Sequence, residues 1–367
     1  MKIINILFLV SFCFLTTSMV PIPFSHFKGA SGALWALQAT LINPTGEAAS
    51  WFGQSVSISG DGLYAIVGAS QEDVTNTDQG QAYIFVRTGT SWALQATLIT
   101  PTGAPSGLFG YSVSISGDGL YAVVGARDDG SGFANQGESF VFFRTGTSWA
   151  LQAQLPEPTP SFSGSFGYSV SISGDGTYVA VGAAGHSYIG QAYIFVRTGT
   201  GWTAQATLTN PTGGGSNYGN SISISSDGLY AIVGAYTEEV PGPGVGRAYV
   251  YFRTGTSWAL QATLINPTAE NYSYFGHSVS ISGDGLYAIV SANGEDVPGG
   301  DQGQSYIFAR TGTSWALQST LINPTGELTS WFGQSVSISG DGLYAIAGAY
   351  REDVTNTDQG QAYIFRQ

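Results

Sequence analysis

Oxygen-bearing side chains crowd three segments of this chain. Glu72, Asp73, Asn76 and Asp78 recur as Glu352, Asp353, Asn356 and Asp358, and Glu295, Asp296 and Asp301 repeat the theme. Carboxylates at this density could hold calcium, which takes six to eight oxygen ligands. The other reading is solvated loop charge that keeps the protein soluble. Calcium is the only cofactor these residue types suggest. Two tryptophans, Trp51 and Trp331, each stand before a Phe-Gly pair. They could stack on sugars, or simply pack.

Catalytic constellations are missing. His26, His186 and His277 stand too far apart for paired metal ligation, and there is no Gly-x-Ser-x-Gly elbow. The single cysteine, Cys13, falls in an apolar N-terminal run. The one acceptable glycosylation sequon is Asn271-Tyr272-Ser273, since proline excludes the Asn-Pro-Thr triplets. No enzyme is expected.

The elements that must carry these residues come from one repeated stretch. An aromatic–Gly pair opens it at Phe52, Phe109, Phe166, Tyr218, Phe275 and Phe332, at spacings of 57, 57, 52, 57 and 57 residues. Such a period signals a solenoid, propeller or array. Within one unit, Ser55–Ser59 alternates Val56 and Ile58 against serines, as a strand does. Gly60-Asp61-Gly62 turns the chain, because Asp-Gly supplies the positive φ of a tight turn. Leu63–Ala69 is apolar throughout, as in a strand covered on both faces. After the acidic loop come Gln81–Arg87, a Thr-Gly-Thr turn, and Trp92–Ile99. Arg87, Arg144, Arg197, Arg253 and Arg310 recur just before that turn, which marks them as structural.

Four antiparallel strands in series make one blade of a β-propeller. We call them a, b, c and d, with the variable loop between b and c. The opening a–b–c set occurs six times, and the d-strand tryptophans are Trp35, Trp92, Trp149, Trp202, Trp258 and Trp315. The last unit ends at strand c, while Trp35–Ile42 is a d strand without a blade. The expectation is an all-β, six-bladed propeller over residues 33–367. Residues 35–42 would pair into the last blade, close the ring and remove its free edges.

These residues also carry a family resemblance. The aromatic–Gly opening, the Gly-Ala end of strand b (Gly68-Ala69, Gly125-Ala126, Gly182-Ala183, Gly234-Ala235, Gly348-Ala349) and Gly80-Gln81-Ala82-Tyr83-Ile84-Phe85 resemble FG-GAP repeats. The fifth unit departs, with Ser291-Ala292. The resemblance implies a propeller of the integrin-α type and extracellular recognition. Integrin-type members carry an Asp-x-Asp-x-Asp-Gly calcium loop. Ser-Gly-Asp-Gly stands there instead, so calcium does not follow from the resemblance.

The N-terminus reads as a signal peptide over residues 1–18: Lys2, the apolar run Ile3–Leu15, and small residues Thr16 and Ser18 before the cleavage point. An uncleaved membrane anchor is the alternative. Residues 19–32 read as a linker. The net charge of −13 opposes binding to nucleic acid or anionic lipid. The expectation is a secreted, monomeric, non-catalytic module that recognises an extracellular protein through its variable loops. A glycan-binding propeller is the alternative, and a hydrolase comes third, since near-identical units leave few unique polar residues for one active site.

Overall fold

Strand a of each unit lies next to strand a of the next, because its serines are hydrogen-bond acceptors as well as small. In the computed structural model, which describes residues 38–130, 135–297, 300–353 and 359–367, this arrangement repeats from blade to blade. The Val113 and Ile115 amides donate to Ser55 Oγ and Ser57 Oγ at 2.9 and 3.2 Å. Val279 and Ile281 donate to Ser221 and Ser223, and Val336 and Ile338 to Ser278 and Ser280, at 3.0 to 3.2 Å. Each such bond contributes about 1 kcal/mol net.

The first blade is β1 (Phe52–Ile58), β2 (Tyr64–Ala69), β3 (Gln81–Thr88) and β4 (Ser91–Ile99), hydrogen-bonded in that order and antiparallel. The second is β5 (Phe109–Ile115) to β8 (Ser148–Leu155), the third β9 (Phe166–Ile172) to β12 (Gly201–Thr209) and the fourth β13 (Ile222–Ile224) to β16 (Ser257–Ile265). The fifth runs from β17 (Phe275–Ile281) to β22 (Ser314–Ile322), with a small hairpin, β19 (Asp296–Val297) and β20 (Gly300–Asp301), in its bc loop. The sixth has β23 (Phe332–Ile338), β24 (Tyr344–Ala349) and β25 (Gln361–Arg366). Six blades, all antiparallel, match the sequence expectation.

The family glycines lie where backbones of neighbouring blades touch. A Cβ on Gly182 would sit 1.9 Å from Gly219 O, and one on Gly68 would sit 2.0 Å from Gly110 O. So the Gly-Ala of one blade packs against the aromatic–Gly of the next. Ser291, the exception, is fully buried and its Oγ accepts the Ser278 amide at 2.9 Å. On the outer rim, Trp149, Trp202, Trp258 and Trp315 donate through Nε1 to Gln95, Gln152, Gln205 and Gln261 of the preceding blade, at 2.8 to 2.9 Å. The repeated arginines bond the carbonyl of the Asp-Gly turn, as Arg144 Nε does to Gly119 O at 2.9 Å. Arg144, Arg197, Arg253 and Arg310 also lie 4.3 to 4.5 Å over Tyr64, Tyr121, Tyr178 and Tyr230 of the preceding blade. Their structural reading holds.

The closing strand is not among the described elements. Trp35–Leu37 lies outside the described residues, Ala39–Ile42 forms no strand, and the last sheet stops at three strands. On blade one Val56 and Ile58 are 65% and 59% exposed, against 6% and 5% for Val113 and Ile115. A cavity of about 280 Å³ lies against β25, lined in part by Gln318, Tyr344 and Phe365. Gln318 matches the glutamines that receive the tryptophan N–H in other blades. At the other end Leu41 packs with Phe52 on the blade-one core, as a d strand should. The signal segment 1–18 and linker 19–32 also lie outside the described residues.

Gly182→Ala places a methyl group against a backbone that cannot retreat, and overpacking of this kind costs about 1–3 kcal/mol or more. The denaturation midpoint should fall accordingly. Gly201→Ala, whose added Cβ meets nothing closer than Thr198 O at 3.7 Å, should leave it unchanged or raise it.

Candidate functional site

The bc loops and the d-to-a linkers share one end of every blade. The acidic residues singled out in the sequence divide there into two groups. Glu72, Glu295 and Glu352 are fully buried. Glu295 Oε2 accepts from Asn266 Nδ2 at 2.9 Å, and its Oε1 accepts from the Thr268 hydroxyl. Glu352 does the same with Asn323 and Thr325, and Glu72 with Asn43 and Thr45. Three of the four Asn-Pro-Thr linkers are thus latched to the loop that follows by 29 residues. The linker had signalled only a crossing between blades. Its Asn and Thr, recurring at fixed distance from the glutamate, were the signal for the latch.

Asp73, Asp296 and Asp353 are exposed, and their amides donate to Glu47, Glu270 and Glu327 of the linkers at 2.8 to 3.1 Å. The Asp78 amide donates to Asp73 Oδ1 at 2.7 Å, and its carbonyl accepts the Leu108 amide at 3.2 Å. Asp358 and the side chain of Asp301 lie outside the described residues. Among the described residues no group of three or more His, Cys, Asp or Glu converges as a metal-ligating set. The glutamate oxygens that a calcium reading needs are committed to the latch.

Blades two to four vary this device. In the second blade Thr102 Oγ1 donates to Asp129 at 2.5 Å, whereas in the fourth Asn210 donates to Ser216 within its own linker at 2.7 Å and Glu238 accepts from Tyr249 of its own blade at 2.6 Å. In the third blade Glu157 comes from the linker and meets His186 Nδ1 at 2.6 Å. His186 is therefore part of a buried pair.

Inward of the latches, two positions change identity from blade to blade. The residue after the aromatic–Gly is Gln54, Tyr111, Tyr168, Asn220, His277 or Gln334, and the residue after strand b is Ser70, Arg127, Ala184, Tyr236, Asn293 or Tyr350. They stand at the loop-side end of the innermost strands and form an arc. Tyr111 and Tyr168 lie 5.2 Å apart with the Arg127 guanidinium 4.2 and 5.6 Å from their rings. Tyr236 meets His277 at 5.3 Å and Tyr274 at 5.9 Å. Burial holds the His277 imidazole below its ordinary pKa, and burial with the neighbouring Tyr168 pushes the Tyr111 phenol up. A half-buried arc of phenols, one imidazole and one guanidinium can bind through aromatic faces and directed hydrogen bonds. Period-counting passed over it because variable positions drop out of a repeat.

Trp51 and Trp331 both adopt left-handed backbone, at φ of 57° and 54°, and Trp51 is 51% exposed. Trp331 meets Tyr350 edge-on at 5.8 Å and lies under Arg351 at 4.9 Å. Asn271 is exposed, whereas Ser273 of its sequon is buried and accepts from Asn266 at 2.7 Å.

The FG-GAP repeat matches this sequence six times, at residues 35–85, 92–142, 149–195, 202–251, 258–308 and 315–365. The chain belongs to the FG-GAP repeat family. The first match begins at Trp35, as the later ones begin at Trp92, Trp149, Trp202, Trp258 and Trp315. No curated protein matches the chain. Solved structures similar in fold include hydrazine synthase of Kuenenia stuttgartiensis, at a TM-score of 0.55 and 12% identity over 85% of this chain and 83% of that one. A putative 6-phosphogluconolactonase from Bacteroides fragilis gives 0.56 and 15% over 86% and 80%. The periplasmic gluconolactonase of Pseudomonas aeruginosa gives 0.53 and 16% over 82% and 79%. At these identities the likeness is one of fold.

Burial and the nearby Glu295 charge raise the Glu270 carboxyl to about 7. An acid whose folded pKa lies above its unfolded value contributes stability below about pH 4.5, and loses it as pH rises towards 7. Glu270→Gln should therefore flatten the fall in melting temperature between pH 5 and about 7.5. Calcium in place of a chelator should leave the wild-type melting temperature unchanged; a rise would assign these carboxylates to a metal after all.

Proposed function

We propose that this FG-GAP propeller is a secreted, non-catalytic recognition module that takes an extracellular protein on its bc-loop face. The observation that carries the reading is the arc of Tyr111, Arg127, Tyr168, Tyr236 and His277. The repeats keep their strand sequences nearly constant yet change these positions from blade to blade. Tyrosine and arginine in half-buried settings are the residue types that dominate binding energy at protein interfaces. A rigid scaffold with variable loops is the usual place for such contacts. A signal-like N-terminus and net negative charge agree with an extracellular setting.

The test is an array of purified cell-surface and matrix proteins probed with the labelled chain. Arg127→Ala with Tyr168→Ala should weaken capture of any protein bound by at least about tenfold, as expected for hot-spot residues. Thr90→Ala, in the exposed turn at the opposite end of the first blade, should leave it intact. Capture that survives the double substitution and fails in Thr90→Ala would place recognition on the other face.

A further inference from the structure

Between the fifth and sixth blades the loop end holds a pocket of about 210 Å³, lined by Tyr272, Tyr274, Asn293, Gly294 and Trp331. Three of these five residues are aromatic and none is charged. Asn293 is 1% exposed, and its amide nitrogen donates to Gln334 Oε1 at 2.8 Å. Its Oδ1 has no hydrogen-bond partner among the described residues. An unsatisfied buried acceptor costs about 1–3 kcal/mol, which a ligand donor would recover.

The aromatic lining is particular to this place. Tyr272, Tyr274 and Trp331 all stand in left-handed backbone, at φ of 61°, 57° and 54°. The same backbone positions elsewhere carry Ala49, Ser106, Leu108, Ser163, Ser165, Asn217 and Thr329. Only Trp51 among the counterparts is aromatic. Large side chains in this conformation are uncommon and cost roughly 1 kcal/mol or more each. Small residues satisfy the turn elsewhere, so the turn itself does not require the three aromatics. Arg351 over the Trp331 ring and Tyr350 at its edge hold the indole in position.

We propose that this pocket binds one sugar residue of an extracellular saccharide. Aromatic faces suit the C–H surface of a pyranose, and Asn293 Oδ1 would accept from a ring hydroxyl or an acetamido N–H. The volume is below the roughly 300–1,000 Å³ of pockets for drug-sized molecules, which fits a single sugar. An anionic ligand finds no cation in the lining, and the protein's net charge of −13 repels it. The pocket adjoins the arc through Asn293 and Tyr274 but does not include Arg127 or Tyr168, so either proposal can fail without the other.

The experiment uses the whole chain produced in a bacterium, so that Asn271 carries no glycan. The labelled protein is applied to a printed oligosaccharide array, and any sugar retained is titrated in solution by tryptophan fluorescence. Trp331→Ala should lower affinity at least tenfold, and Asn293→Leu, which removes the accepting oxygen, should also lower it about tenfold. Saturating sugar should raise the melting temperature of the wild type and not that of Trp331→Ala, a readout that a merely structural tryptophan would not move. Should Asn293→Leu fail to fold, Tyr272→Ala replaces it, because Tyr272 is 58% exposed. No retained sugar, or variants that bind as the wild type does, would overturn the proposal.

Discussion

The close approach of backbone to backbone at each blade junction is the constraint on which the rest of this propeller depends. Gly182 against Gly219 O leaves no room for a side chain, and the same contact recurs at Gly68 and Gly110. Once two strands approach this closely, only short side chains fit between the innermost strands. Serine is then the residue that both fits and hydrogen-bonds, and the Ser55–Val113 and Ser57–Ile115 bonds follow. The outer rim, where blades diverge, needs long side chains instead, and the Trp–Gln and Arg–Tyr pairs supply them. The taper of a blade is written as a gradient of side-chain length.

Polar groups at the loop end obey a second rule. A carboxylate removed from water must be fully hydrogen-bonded. Glu295 meets that rule with Asn266 and Thr268, and so joins a linker to a loop that sequence alone would treat as independent. This join frees the neighbouring positions. Held at both ends, the residues after the aromatic–Gly and after strand b can vary without loss of the frame, as Tyr111, Asn220 and His277 do. Variation and rigidity are in this way two results of one device.

The first and last blades differ from the four between them. Among the described residues Val56 and Ile58 stay exposed where Val113 and Ile115 are buried, and no fourth strand pairs with β25. Leu41, ahead of the first blade, packs on the blade-one core as Leu98 does on that of blade two.

Sequence by itself determined the blade count, the four-strand order, the Asp-Gly turns and the structural role of the repeated arginines. All of these rest on local chemistry that recurs at a fixed interval, so periodicity exposes them. It also drew attention to Trp331, though without its surroundings. Only the tertiary structure decided that Glu72, Glu295 and Glu352 are buried latches, that His186 pairs with Glu157, and that Tyr272, Tyr274, Asn293 and Trp331 share one pocket. Those facts depend on which side chains of different units meet. Glu and Asp look alike in a string whether they face water or a threonine hydroxyl. Burial and partnership are set by the ring of blades, and no stretch of sequence carries them alone.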